Sequence, residues 1–115
     1  MNKPHCIELL QAKAWTTTSI DGTIRWARGF GAPISLRNAS QLLLCICGTK
    51  LPSSVRLNSN LIDSTRNHPD RLEFEVGNQL SDRNSVELVW DGEWASEVIA
   101  DGFASLGSVH LEIYE

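Results

Sequence analysis

Three cysteines, three histidines and a set of evenly spaced carboxylates are the residues in this chain with most chemistry to offer. Cys45-x-Cys47 puts two thiols on the same side of an extended strand. With Cys6 and a histidine they would supply the four donors of a zinc site. Structural zinc sites draw on two close-spaced pairs, however, and here there is one. A catalytic thiol needs an exposed, electropositive setting, which the apolar stretch SQLLLCIC denies. The expectation is buried thiols acting as small hydrophobes, with no metal and no cofactor.

Glu93, Glu97 and Asp101 recur every fourth residue, a spacing that suits an acid–base pair or hard-metal ligands on a helix. They fall opposite an apolar half of the helical wheel, so a solvated face is expected. His68-Pro69-Asp70 resembles the signature triplet of the J-domain co-chaperones. Those domains are all-helical, whereas Arg71 to Val76 alternates like a strand, so the triplet is expected to be a polar turn. A loop of that length is also a common place for a site. Gly29-Phe30-Gly31 lacks the third glycine and following helix of a dinucleotide fingerprint and reads as a turn. His110 alternates outward with Glu112 and Tyr114.

Four tryptophans in 115 residues are the least ordinary feature. Large aromatics dominate cores, but they also wall ligand pockets. Trp90 and Trp94 flank a strand-to-helix corner, and Arg28 beside Trp15 and Trp26 offers an edge for an anionic group. The candidate ligand-binding set is therefore Trp15, Trp26, Arg28, His68, Asp70, Trp90 and Trp94.

The elements that would position these residues follow from periodicity. Residues 3–13 lean helical, because Cys6, Ile7, Leu10 and Ala14 gather on one side at about 100° per residue. Asp21-Gly22 is a preferred pair for a two-residue type I′ turn, and threonine-rich flanks favour strands. With Ile20 opposite Thr23, Thr17 faces Trp26 and Ser19 faces Ile24. Trp15, Ile24 and Trp26 then share a side.

Residues 40–47, apolar on both faces, predict a central strand. Val55 and Leu57 predict a short edge strand, and residues 58–70 a long polar loop. Leu72, Phe74 and Val76 alternate with Arg71, Glu73 and Glu75, giving a strand with one wet face. Val86, Leu88 and Trp90 repeat the pattern.

After Asp91-Gly92 a second hairpin would set Leu88 and Val86 beside carboxylates. The segment to 106 is better ordered as a helix, capped by Asp91 and ended by Gly107. Residues 108–114 predict a closing strand.

The fold expected is α+β: a mostly antiparallel twisted sheet of about five to six strands with two helices packed on it. It ends in a strand–helix–strand unit and forms a single domain over 1–115. The net charge of −4 and the scattered basic residues argue against nucleic acid. The longest apolar run, Leu42 to Cys47, falls far short of the roughly 20 residues needed to span a bilayer. The N-terminus has no signal-peptide pattern, and an odd cysteine count suits a reducing, cytoplasmic setting.

The function expected is a binding module, homo-oligomeric, with a small molecule or protein partner in an aromatic-lined pocket. One alternative is an acidic, immunity- or antitoxin-like protein using Glu73, Glu75, Glu93, Glu97 and Asp101 against a basic partner. Another is a small enzyme using His68 and Asp70, or His110 with a carboxylate.

Overall fold

A computed structural model describes residues 4–32, 41–64, 66–92, 95, 97–98 and 102–114. The described residues form ten strands: β1 (His5–Glu8), β2 (Thr16–Ile20), β3 (Thr23–Gly31), β4 (Gln41–Gly48), β5 (Ser54–Leu57), β6 (Asn60–Ile62), β7 (Arg66–His68), β8 (Arg71–Glu75), β9 (Arg83–Trp90) and β10 (Leu106–Tyr114). They make two five-stranded sheets, ordered β1-β10-β4-β8-β7 and β2-β3-β9-β5-β6. Every pairing is antiparallel. One apolar cluster joins the sheets. Leu42, Leu44, Ile46, Phe74, Val109, Leu111 and Ile113 meet Trp26, Val55, Leu57, Val86, Leu88 and Trp90. This is a β-sandwich, with two inner faces making the core.

The expected α+β class is therefore wrong, and no helix layer covers a sheet in the described residues. The helix read over 3–13 is in fact β1, paired with β10 through Cys6↔Glu112 and Glu8↔His110. Leu9 and Leu10 are neighbours because the chain turns there, not because a helix runs through them. Leu9 N donates to Val109 O at 2.6 Å, and the Glu8 carboxylate accepts from Leu10 N and Val109 N. A short 3₁₀ turn, Ala12–Ala14, follows.

Between β9 and β10, Ala95, Glu97 and Val98 have helical backbone and Gly102–Ser105 is a 3₁₀ turn. Ala95 and Val98 are buried. Gly92 and Gly102 take left-handed φ (+65° and +59°), whereas Gly107 lies within β10. The two strands flanking this segment belong to different sheets, so no parallel crossover forms.

Gly29-Phe30-Gly31, read as a turn, is instead the end of β3, paired with β9 through Gly29↔Ser85 and Gly31↔Arg83, whereas the Asp-Gly hairpin forms as expected. Asp21 and Gly22 both take positive φ, 50° and 78°. The register is Ile20↔Thr23, Ser19↔Ile24 and Thr17↔Trp26. β4 is central, between β10 and β8. β5 is not an edge, because β6 forms within the expected polar loop and pairs with it. β7 forms in the same stretch and pairs with β8.

Candidate functional site

The candidate ligand residues do not converge. Trp15, Trp26 and Trp90 stack in the core with ring centroids 6.3 and 4.6 Å apart. Trp15 Nε1 donates to Leu9 O (2.9 Å) and Trp90 Nε1 to Lys50 O (2.8 Å). Arg28 donates to the same Leu9 carbonyl (2.7 Å) and to Gln11 Oε1 (2.8 Å), which ties β3 to the turn after β1. His68 and Asp70 lie exposed at the β7–β8 turn of the other sheet. The Asp70 carbonyl accepts from Gly48 N. Trp94 lies outside the described residues, as do Glu93 and Asp101 of the acidic face. Glu97 is exposed.

Two regions remain. The first is a cleft of about 340 Å³ lined by Thr17, Thr18, Ser19, Ile24, Trp26, Val98 and Gly102. Its origin is the register. Thr17 and Ser19 are the cross-strand partners of Trp26 and Ile24 and so share their face. They sit on an edge strand, where they are exposed while Ile24 and Trp26 are covered. A second cleft, about 230 Å³, lies at β5, β6 and β8 and includes Ser53, Ser54, Asp63 and Ser64.

The second region is the outer face of the β1-β10-β4-β8-β7 sheet. Alternation sends Ser108, His110, Glu112 and Tyr114 outward from β10. Register places Cys6 and Glu8 of β1 beside them on one side, and Cys45 and Cys47 of β4 on the other. Arg71 and Glu73 of β8 come next.

Arg71 organises this face. Its Nε lies 2.8 Å from Glu73 Oε2, and its Nη2 lies 3.0 Å from Glu112 Oε2. Nη2 and Nη1 also reach Cys45 Sγ (3.2 Å) and Cys47 Sγ (3.7 Å). Glu112 accepts further bonds from Tyr114 OH (2.8 Å) and His110 Nε2 (2.9 Å). The other ring nitrogen of His110 meets Ser108 Oγ at 2.7 Å, and that hydroxyl reaches Glu8 Oε2 at 2.8 Å.

Glu112 is only 8% exposed. Burial pushes its carboxyl upward, but the bonds from His110, Arg71 and Tyr114 outweigh it and hold the group at about 2. Burial, and then Glu112, push the Cys45 thiol up to about 12. Tyr114, donating to Glu112, is raised to about 12. Arg71 is desolvated, yet Glu112 and Glu73 raise it further, so it stays charged.

This network was missed in the sequence, where Arg71 and Glu73 read as a wet face. The available signal was β4. A strand apolar on both sides needs a roof on each, and here the outer roof is the hydrogen-bonded layer over Cys45. Ser108, His110 and Glu112 line up like a nucleophile, base and orienting acid. Such a set works only beside a substrate cleft with oxyanion donors. Neither cleft above includes any residue of this network. All three thiols are free, and the donor atoms of Cys6, His110 and Glu112 lie within 4.8 Å of one another.

No protein-family model matches the chain, and no curated protein matches it in sequence. Solved structures do. The β-D-mannosidase of Dictyoglomus thermophilum is similar over 81% of this chain and 16% of its own, with a TM-score of 0.59 at 17% identity. The β-glucuronidase of Bifidobacterium dentium, solved with coumarin-3-O-glucuronide, is similar over 81% of this chain and 21% of its own, with a TM-score of 0.57 at 17% identity. At that identity the likeness is one of fold. The chain spans about a sixth of one enzyme's length and a fifth of the other's. No described helix is long and apolar enough to cross a membrane.

Proposed function

We propose that the chain is a non-catalytic β-sandwich module that holds a small, neutral, hydroxyl-bearing molecule, a sugar residue by class, in the cleft at the β2 edge. The observation that carries this reading is the cleft's make-up. Among the described residues, Thr17 and Ser19 share the cleft's face with Ile24 and Trp26, which lie buried beneath them, and Thr18 also lines it. Polar groups that fix orientation above an apolar base are the usual build of a small-molecule site.

Two further points support it. Sandwiches of this shape are built into enzymes that act on glycosides, as a minor share of each chain. The His–carboxylate pair of this chain sits on an open sheet face rather than in a cleft. Free thiols suit a reducing, cytoplasmic setting.

The test is a titration with methyl mannoside and methyl glucuronide, followed by amide and indole shifts. Shifts confined to β2, Ile24 and Trp26, weakened in Thr17→Val, support the reading. Shifts elsewhere, or none, reject it.

For the self-association expected from the sequence, we favour a seam at β2. β1 carries Glu8, β6 has three residues, and β7 carries Arg66 and runs into Pro69. β2, TTTSI, has neither charge nor proline, and Ile20 is 64% exposed. Unguarded edges pair with other strands. A second copy joined β2 to β2 is thus our reading of the oligomer. Sedimentation should show a dimer that Thr18→Lys dissociates.

A further inference from the structure

The outer face of the first sheet holds two triads of metal-donor side chains, and the chain treats them differently. In Cys45, Glu73 and Glu112 the donor atoms lie within 4.8 Å of one another. A cation is already built into that group, because the Arg71 guanidinium bonds all three. Cys6, His110 and Glu112 meet the same 4.8 Å limit. There the guanidinium bonds only Glu112 among the contacts of Arg71 given above.

From this contrast we propose that Cys6 Sγ, His110 Nε2 and Glu112 Oε2 bind a borderline-soft divalent cation of the zinc class, with a fourth position open to solvent. The proposal stands apart from the sugar cleft, which lies on the other sheet.

Four features support it. The sulfur, imidazole and carboxylate donors form a set that suits zinc. The donors are held in register, since Cys6 is the direct cross-strand partner of Glu112 and His110 lies two residues along the same face. The His110 ring is oriented from behind. Nδ1 lies 2.7 Å from Ser108 Oγ, whose hydroxyl also reaches Glu8, and this leaves Nε2 turned toward Glu112. Outer partners of this kind commonly fix metal-bound histidines. Finally, Nε2 and a carboxylate oxygen of Glu112 stand 2.9 Å apart, close enough for one cation to be shared between them.

The charges balance. The Cys6 thiolate and Glu112 carboxylate neutralise a dication, and Arg71 keeps Glu73. Binding releases the Cys6 thiol proton to solvent. Cys6 is exposed, which gives the ion a way in.

The experiment is a zinc titration of the full chain by calorimetry in two buffers of different ionisation enthalpy, with cobalt(II) as the spectroscopic probe. The expected result is one saturable equivalent, proton release, and a thiolate-to-cobalt charge-transfer band. Cys6→Ser should abolish the band, and it and His110→Gln should each weaken zinc by at least the roughly 10–100-fold that loss of an outer partner of a metal ligand costs. Cys6 lies exposed on an edge strand, so Cys6→Ser should melt like the parent and serve as the deciding variant. His5 alternates to the opposite face of β1, and Cys47 lies across β10, so His5→Ala and Cys47→Ala should bind as the parent does. Zinc bound as tightly by Cys6→Ser as by the parent, or lost in His5→Ala, overturns the proposal, as does the absence of saturable binding.

Discussion

The outer faces of the two sheets use the same ionic chemistry to different effect. On the β2-β3-β9-β5-β6 sheet, Arg25 and Glu87 approach to 3.9 Å with side chains 56% and 26% exposed. On the other sheet, Arg71 meets Glu73 at 2.8 Å and Glu112 at 3.0 Å, with Glu112 only 11% exposed at the side chain. Water screens the first pair, and such contacts contribute about 0–1 kcal/mol. The second set is roofed by its own members. Each charge there has lost water and depends on the others. The neighbours make the difference. Cys45 and Leu43 place short or apolar side chains where water would otherwise enter.

The comparison breaks most visibly at Arg71. Arg71→Met should lower unfolding free energy by about 2–3 kcal/mol in urea titration, because it strands Glu112 and Glu73 beside each other. A loss no greater than that of an exposed pair would remove the distinction between the faces.

Next in size is the pH response. The Glu112 carboxyl is held at about 2 in the folded state, below its ordinary 4.5. Its contribution is therefore complete above the unfolded value and is lost as pH falls from about 4.5 through 2. The loss is on the order of 2–3 kcal/mol. Glu112→Gln should be less stable at neutral pH and should lack this acid limb.

A smaller effect is expected at Tyr114, the only tyrosine. Its phenol should ionise near 12 rather than 10, read by ultraviolet absorbance, and fall back in Glu112→Gln. Tyr114→Phe should cost about 1 kcal/mol. The smallest effect belongs to the other face, where Arg25→Met should stay within about 0.5 kcal/mol.

Residues whose conformation is set by their neighbours in sequence were legible. Asp21-Gly22 fixed a hairpin and its register, and alternation marked β8, β9 and β10 with their inner faces. The α+β expectation failed where periodicity was short. Over Cys6, Ile7, Leu10 and Ala14 a helical stripe and a strand followed by a turn look alike, and the pairing with β10 decides between them. That partner lies about a hundred residues away, beyond the reach of local pattern. The outer network was illegible for the same reason. Arg71, Glu112 and Cys6 come from three strands, and only the sheet order brings them together. The tryptophans gave a correct sense of aromatic surplus, but three of them serve the core.

That core trio has an optical consequence. The ring planes of Trp15 and Trp26 are inclined by 59°, and those of Trp26 and Trp90 by 57°, at centroid separations of 6.3 and 4.6 Å. Indole transitions this close and skewed couple with one another, so far-ultraviolet circular dichroism should show an exciton couplet superimposed on the sheet signal. The couplet exists only while β3 and β9 hold their register and Trp15 is anchored to Leu9. It is thus an intrinsic gauge of sandwich integrity.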